Sequence, residues 1–166
     1  VVARWDEADV LAVRLGGDRE AQPQGVGPRL VLRHPAEREM HEAELVARYA
    51  RRIAWPLKLT ELPDQGGTMP EAPPQCRTVL LDERGRQLTS EEFAAILGKW
   101  RDEGVREARF MIGAADGHGD KARESADLLI AFGAMTWPHL MARAMLAEQL
   151  YRATSILAGH PYHRSG

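Results

Sequence analysis

Apolar residues change their spacing along this chain, and the changes predict its elements. From Ala36 to Ile53 they fall at Met40, Ala43, Leu45, Val46, Tyr49, Ala50 and Ile53, in steps of three and four, with glutamates early and Arg48, Arg51 and Arg52 late. That is the signature of an amphipathic helix whose charges complement its dipole, and Trp55-Pro56 ends it. Leu57-Lys58-Leu59-Thr60-Glu61-Leu62 alternates, as a strand with one covered face does, and the proline- and glycine-rich Pro63–Gln75 reads as a surface loop. Thr78-Val79-Leu80-Leu81 is continuously apolar, which suits a central strand covered on both faces. Thr89-Ser90-Glu91-Glu92 has the form of a capping box opening a helix with Phe93, Ile96, Leu97 and Trp100 on its buried stripe, stopped by Gly104. Ala108–Ile112 reads as the next strand, and it delivers the chain into a glycine-bearing loop, 113–119. A helix is predicted over Arg123–Ala131, a short strand or turn over Phe132–Thr136, and a long helix from Pro138 to about Leu157, stopped by Gly159.

Strands alternating with helices in this way indicate an α/β domain with a mainly parallel sheet. Residues 1–28 differ in texture: Gly16-Gly17, Pro23, Gly25, Gly27 and Pro28 punctuate a stretch whose only apolar run is Val10–Leu15. They are expected to form an extension or a loosely held strand, with the domain proper covering 29–166. At 166 residues the chain makes about one domain. No apolar run reaches the ~18 residues of a membrane span, and no signal peptide stands at the start, so a cytoplasmic location with no membrane partner is expected. Cys76 is the single cysteine, which excludes an internal disulfide and a cysteine-based metal site. A net charge of −2 gives no general basic character, so any nucleic-acid site must be local or shared between subunits.

Two segments carry candidate chemistry. The loop after Ile112 lies where ligands bind in open α/β sheets, although it matches neither GxGxxG nor a phosphate-binding loop; an ordinary strand-to-helix turn is the alternative. The tail His160-Pro161-Tyr162-His163-Arg164 gathers a base, an aromatic ring and a phosphate-gripping cation, or else is a solvated end. His139 and Arg143 lie four apart on one helix face, with Arg152 nine further on. A metal site from His139, His160 and His163 is possible in residue type but lacks short ligand spacing, and no metal is expected. Met135, Met141 and Met145 read as core filler.

Taken together, Leu80-Leu81-Asp82, Ile112-Gly113, Met135-Thr136-Trp137-Pro138-His139, Glu148-Gln149-Leu150-Tyr151-Arg152-Ala153 and His160–Arg164 resemble one family. It is the RlmH-type branch of the SPOUT methyltransferases, which modify N3 of a pseudouridine in large-subunit rRNA. The likeness runs from about Ala43 to Arg164. It implies an α/β fold with a C-terminal trefoil knot, a homodimer, and S-adenosylmethionine held mostly by backbone groups of Leu81, Gly113, Phe132, Gly133, Ala134, Met135, Thr136 and Trp137. It further implies methylation of 23S rRNA in the assembled ribosome. His163 is then the candidate base or base-orienter, Tyr162 a stacking partner for the target nucleotide, and Arg152 and Arg164 holders of phosphate or of the developing anion. Ala114 stands where the family has a second glycine, and the family's opening strand corresponds either to Leu30–Leu32 or to a displaced Val10–Leu15. On those two departures rests the alternative, a ribosome-binding or assembly module of the same fold that transfers no methyl group.

Overall fold

The computed structural model of the chain describes residues 9–16, 37–61, 71–113 and 120–162. In order these form β1 (Asp9–Arg14), α1 (Glu37–Ala50), β2 (Leu57–Glu61), β3 (Cys76–Gln87), α2 (Ser90–Asp102), β4 (Glu107–Ile112), α3 (Asp120–Ser125), β5 (Leu128–Ala131) and α4 (His139–Leu157). The strands make one sheet in the order β2-β1-β4-β3-β5. Four of them run the same way; β1 is reversed, with Leu11 opposite Leu59 of β2 on one side and Phe110 of β4 on the other. β3 pairs in parallel with both β4 and β5.

Side chains of a strand alternate between faces, and here each set meets a different layer. Leu11, Val13, Val79, Phe110 and Ile112 pack under Phe93 and Leu97 of α2 and Leu146 and Leu150 of α4 to form the main core. Val10, Leu80 and Met111 point the other way, onto Ala122 of α3. α4 also packs on α1 through Ala144 and Ala147 against Val46. Contacts on several sides explain why α4 lacks a clean polar face. The capping box at the start of α2 is present: the Glu92 amide donates to Thr89 Oγ1 at 3.1 Å, and the Thr89 amide donates to Glu92 Oε2 at 2.8 Å.

Several expectations change. Val10–Leu15 is no loosely held extension. It supplies β1, an interior strand with Leu11 and Val13 wholly buried, because Leu11, Val13 and Leu15 complete the main core. The helix expected over Arg123–Ala131 stops at Ser125, and Leu128–Ala131 is strand β5. Parallel pairing with Val79, Leu80 and Leu81 outweighs the local helical texture. Phe132–Thr136 is neither strand nor helix. Pro138 caps α4 from just outside rather than opening it. Met145 packs against the core, but Met135 is 75% exposed and Met141 lies at the surface. The Leu30–Leu32 segment, Ala114 and most of the Pro63–Gln75 loop lie outside the described residues.

Candidate active site

Three strands come level at one end of the sheet. Leu81 of β3 pairs with Ile112, the last residue of β4, on one side and with Ile130, one residue before the end of β5, on the other, while β3 itself runs on to Gln87. Beyond them lies a cleft of about 620 Å³, lined among others by Leu81, Gly113, Phe132, Gly133, Met135, Thr136 and Trp137. Seven of the eight residues proposed from sequence to bind a cofactor therefore line one cleft, and Ala134 sits between two of them in sequence. Asp82, Glu83, Arg123, Ile130 and His139 also line it and were not in the predicted set.

The β3 wall has an unusual form. After Leu81 the strand leaves its register with β5 and rejoins it at Arg86, so that both Leu81 and Arg86 lie opposite Ile130. Residues 82–85 loop out as a bulge, a device that re-aims side chains beside a site. Gly85 closes it against bare backbone: a Cβ there would stand 2.4 Å from the carbonyl carbon of Ile130. The bulge carries Asp82, whose side chain is 2% exposed and receives Arg123 Nε at 2.7 Å and the Arg84 amide at 3.0 Å. Arg123 also donates to Asp120 Oδ1 at 2.9 Å. Its hydrogen bond to Asp82 raises its pKa further and keeps it charged. The pair thus ties the bulge to α3.

The opposite wall is the segment from Phe132 to Trp137. Gly133 adopts φ +100°, a conformation that an L side chain rarely takes. Trp137 Nε1–H donates to the Phe132 carbonyl at 3.1 Å and closes this segment into a loop. Behind it, on the far side of Ile130–Gly133, a smaller cavity of about 250 Å³ is bounded by Phe93, Leu146 and Gln149. The cleft is lined by apolar side chains such as Leu81, Ile112, Phe132 and Trp137 together with the charged Asp82, Glu83 and Arg123. It has the volume of an ordinary small-molecule site, roughly 300–1,000 Å³. Such a lining suits a ligand with a flat apolar part and a polar or charged part.

The predicted catalytic residues are arranged differently. Tyr162 does not line this cleft. Its hydroxyl donates to Glu148 Oε1 at 3.2 Å, and its ring lies 4.5 Å, centroid to centroid, from that of Tyr151. Arg152 donates to the same Glu148 oxygen through Nε at 3.0 Å and Nη2 at 2.5 Å, with its guanidinium 5.0 Å from the Tyr162 ring centroid. Burial, with Glu148 nearby, pushes the Tyr162 phenol up, so it is a hydrogen-bond donor at neutral pH. Glu148 is the shared acceptor, a residue that the sequence places in a motif without showing what it does. Tyr162 thus rests against Tyr151 of α4 and not over the cleft; His163 and Arg164 lie outside the described residues. His139 lines the cleft, whereas Arg143 is buried and paired with Glu61 at 2.6 Å. No group of three or more potential metal ligands occurs among the described residues, and none of the described helices is long and apolar enough to cross a membrane.

Comparison with known proteins gives the family. Residues 35–163 match the family model described as predicted SPOUT methyltransferase. The chain is 76% identical over 128 residues to the ribosomal RNA large subunit methyltransferase H of Novosphingobium aromaticivorans, covering 75% of this chain and 89% of that protein. It is 64% identical over 125 residues to the protein of that name from Erythrobacter litoralis, with the same coverage, and 57% identical over 127 residues to that of Zymomonas mobilis, also with the same coverage. With a family model spanning most of the chain and relatives this similar over three quarters of it, the chain belongs to the SPOUT methyltransferase family.

Proposed function

We propose that the protein is an rRNA methyltransferase that uses S-adenosylmethionine to methylate N3 of a pseudouridine in the 23S rRNA of the assembled ribosome. The observation that carries the reading is the cleft beyond the level positions Leu81, Ile112 and Ile130, lined by Leu81, Gly113 and residues of the segment Phe132–Trp137. The names of the relatives supply the RNA. When bound there, S-adenosylmethionine supplies an electrophilic methyl group on a sulfonium. The chain's part is to hold donor and base in line, since orientation accounts for much of the rate of such a transfer, and to remove the N3 proton. His163 is the candidate acceptor of that proton. Tyr162 stacks on the target nucleotide, and Arg152 and Arg164 hold phosphate or the negative charge that develops at N3.

Geometry makes the homodimer part of this reading. Tyr151, on which Tyr162 rests, follows His139 of the cleft by twelve residues of continuous helix, about 18 Å at 1.5 Å per residue. Tyr162 of one subunit thus rests well away from its own cleft, and a partner subunit placed tail-to-cleft supplies the substrate-side groups. The reading includes the trefoil knot of the family and a cytoplasmic location beside ribosomes. With a net charge of −2, one subunit has little general attraction for RNA, so naked fragments are expected to be poor substrates.

The test is to incubate unmethylated ribosomes with protein and S-adenosylmethionine and to map the modified nucleotide by mass spectrometry. One methyl on a 23S pseudouridine is the expected result. Ribosomes left unmethylated, or methylated elsewhere, would overturn the assignment.

A further inference from the structure

Charge in the cleft does not balance. Among the described residues its charged lining consists of Asp82, Glu83 and Arg123, with His139 as a further titratable group. Asp82 is already engaged: it is buried and receives Arg123 Nε at 2.7 Å and the Arg84 amide at 3.0 Å. Arg123 divides its guanidinium between Asp82 and Asp120, and the Arg84 side chain turns to Asp120 at 3.9 Å. Both arginines beside the cleft therefore face an aspartate. Glu83 has no such counterpart: it is exposed and makes no hydrogen bond or ion pair with a described residue. The next arginine along the strand, Arg86, lines the smaller cavity instead. The bulge that carries Glu83 is held at one end by the pair of Asp82 and Arg123. At the other, Gly85 lies against the backbone of Ile130. One carboxylate is thus fixed on the cleft wall without a cation to offset it.

We infer that Glu83 is a specificity-determining residue of the cleft, whose carboxylate selects the cationic methyl donor over the uncharged thioether that the transfer leaves behind; the inference rests on the proposed use of S-adenosylmethionine. In that reaction the bond from sulfur to methyl breaks and its electron pair stays on sulfur, a bond from methyl to N3 forms, and the N3 proton passes to the base. The sulfonium ends as a neutral sulfide. Donor and product share their adenine, ribose and amino-acid groups, so shape and hydrogen bonds scarcely tell them apart. What differs is one methyl group and one positive charge. An unbalanced carboxylate on the wall acts on that charge, and because Coulomb attraction falls off slowly it need not touch the sulfur. A matched pair such as Asp82 and Arg123 largely cancels at the ligand. Glu83 therefore favours replacement of spent product by fresh donor after each turnover, a preference that the apolar lining cannot supply.

The experiment is titration calorimetry of the intact protein with S-adenosylmethionine and, separately, S-adenosylhomocysteine, for wild type, Glu83→Gln and Glu83→Lys. Glutamine keeps the shape and removes the charge. It should weaken S-adenosylmethionine by about two- to fivefold, the range of an exposed ion pair, and leave S-adenosylhomocysteine as in wild type. Lysine should cost the donor a similar factor again. In ~1 M salt, where charges are screened beyond about 3 Å, wild type and Glu83→Gln should draw together. Sinefungin, which carries an ammonium group near the place of the sulfonium, keeps the positive charge without the transferable methyl and should follow the donor. The melting temperature of Glu83→Gln should match wild type. Equal weakening of donor and product in Glu83→Gln overturns the proposal, because that is the mark of an altered cleft shape; so does an unchanged affinity for the donor. Wild type that binds neither nucleoside at millimolar concentration would sink the proposed cofactor and the selection with it. That failure is seen in the unaltered protein, and so is distinct from a ratio that stays constant in a protein that binds both.

Discussion

Replacing Gly85 by alanine should damage the cleft although Gly85 itself does not line it. The added Cβ would meet Ile130 at 2.4 Å from its carbonyl carbon, 2.5 Å from its nitrogen and 2.7 Å from its Cα. Carbon atoms rest at about 3.5 Å, so the two backbones must part by about 1 Å. Overpacking typically costs about 1–3 kcal/mol, and a strand backbone gives way less readily than a side chain, so about 3 kcal/mol is the appropriate figure. The stiffer unfolded chain returns about 0.4–1 kcal/mol, leaving a net loss of about 2 kcal/mol. For a domain of this size that lowers the melting temperature by about 4–8 °C. Ile130 leads directly into Phe132–Trp137, so the same displacement opens the far wall of the cleft. Scanning calorimetry reads the first effect, and titration with S-adenosylhomocysteine, where at least a tenfold loss is expected, reads the second. Gly133→Ala is the control for backbone conformation alone: its Cβ would meet nothing within 4 Å, but φ is +100°, so roughly 1–2 kcal/mol should be lost with the strands still in place. A Gly85→Ala protein that melts with wild type and binds normally would refute the reasoning.

Trp137→Phe removes the indole N–H that donates to Phe132, worth about 1 kcal/mol, and should weaken S-adenosylhomocysteine about fivefold in calorimetric titration with little change in melting temperature. Asp82→Asn keeps the shape of a buried carboxylate but uncouples the bulge from Arg123; urea denaturation should show a loss of about 1–3 kcal/mol, and no loss would mean the pair contributes nothing. The Cys76 thiol is pushed up from 9.0 to about 11, chiefly by burial and next by the Glu107 carboxylate. At pH 8 its thiolate is about a hundredfold scarcer than that of a thiol at 9.0, so alkylation by iodoacetamide should be slower by about that factor and recover only as pH rises toward 11. His163→Ala should lower single-turnover methylation of ribosomes by about 100- to 10,000-fold with the melting temperature preserved; unchanged turnover would remove His163 from the mechanism.

What could be read from the sequence was mostly what local chemistry decides. The capping box at Thr89 works through side chains three residues apart, so the start of α2 is visible without any knowledge of the fold. Thr78–Leu81 is apolar on both faces because the sheet is covered on both sides, and a continuous run records that directly. β5 shows the opposite case. Leu128–Ala131 follows a real helix with no proline or glycine between, and only its pairing with β3 makes it a strand. The bulge at 82–85 is equally hidden, because register is a property of two strands. Within the cleft, the Phe132–Trp137 segment was legible through a family motif, whereas Asp82 and Arg123 meet across 41 positions and announce nothing locally. Tyr162 illustrates the limit: its residue type suggested stacking, but that its ring packs at a tilt against Tyr151, and not over the cleft, depends on where α4 carries the chain.

The reversed strand β1 has a consequence for how the molecule is made. It lies early in the chain, yet one of its neighbours, β2, follows only after α1, and the other, β4, only after β3 and α2. On a ribosome, Val10–Leu15 emerges long before Phe110, and until β4 appears its apolar side chains have no sheet to enter. The order of synthesis therefore opposes the order of pairing, and such distant pairings slow folding and expose strand edges meanwhile. A nascent chain halted before Glu107 would offer β1 no partner but β2, a two-stranded ribbon that is marginal by itself. Once β4 docks, however, the strand that came first joins β2 to the three strands that form the cleft. Cutting it away later would leave β2 and the β4-β3-β5 group as separate pieces.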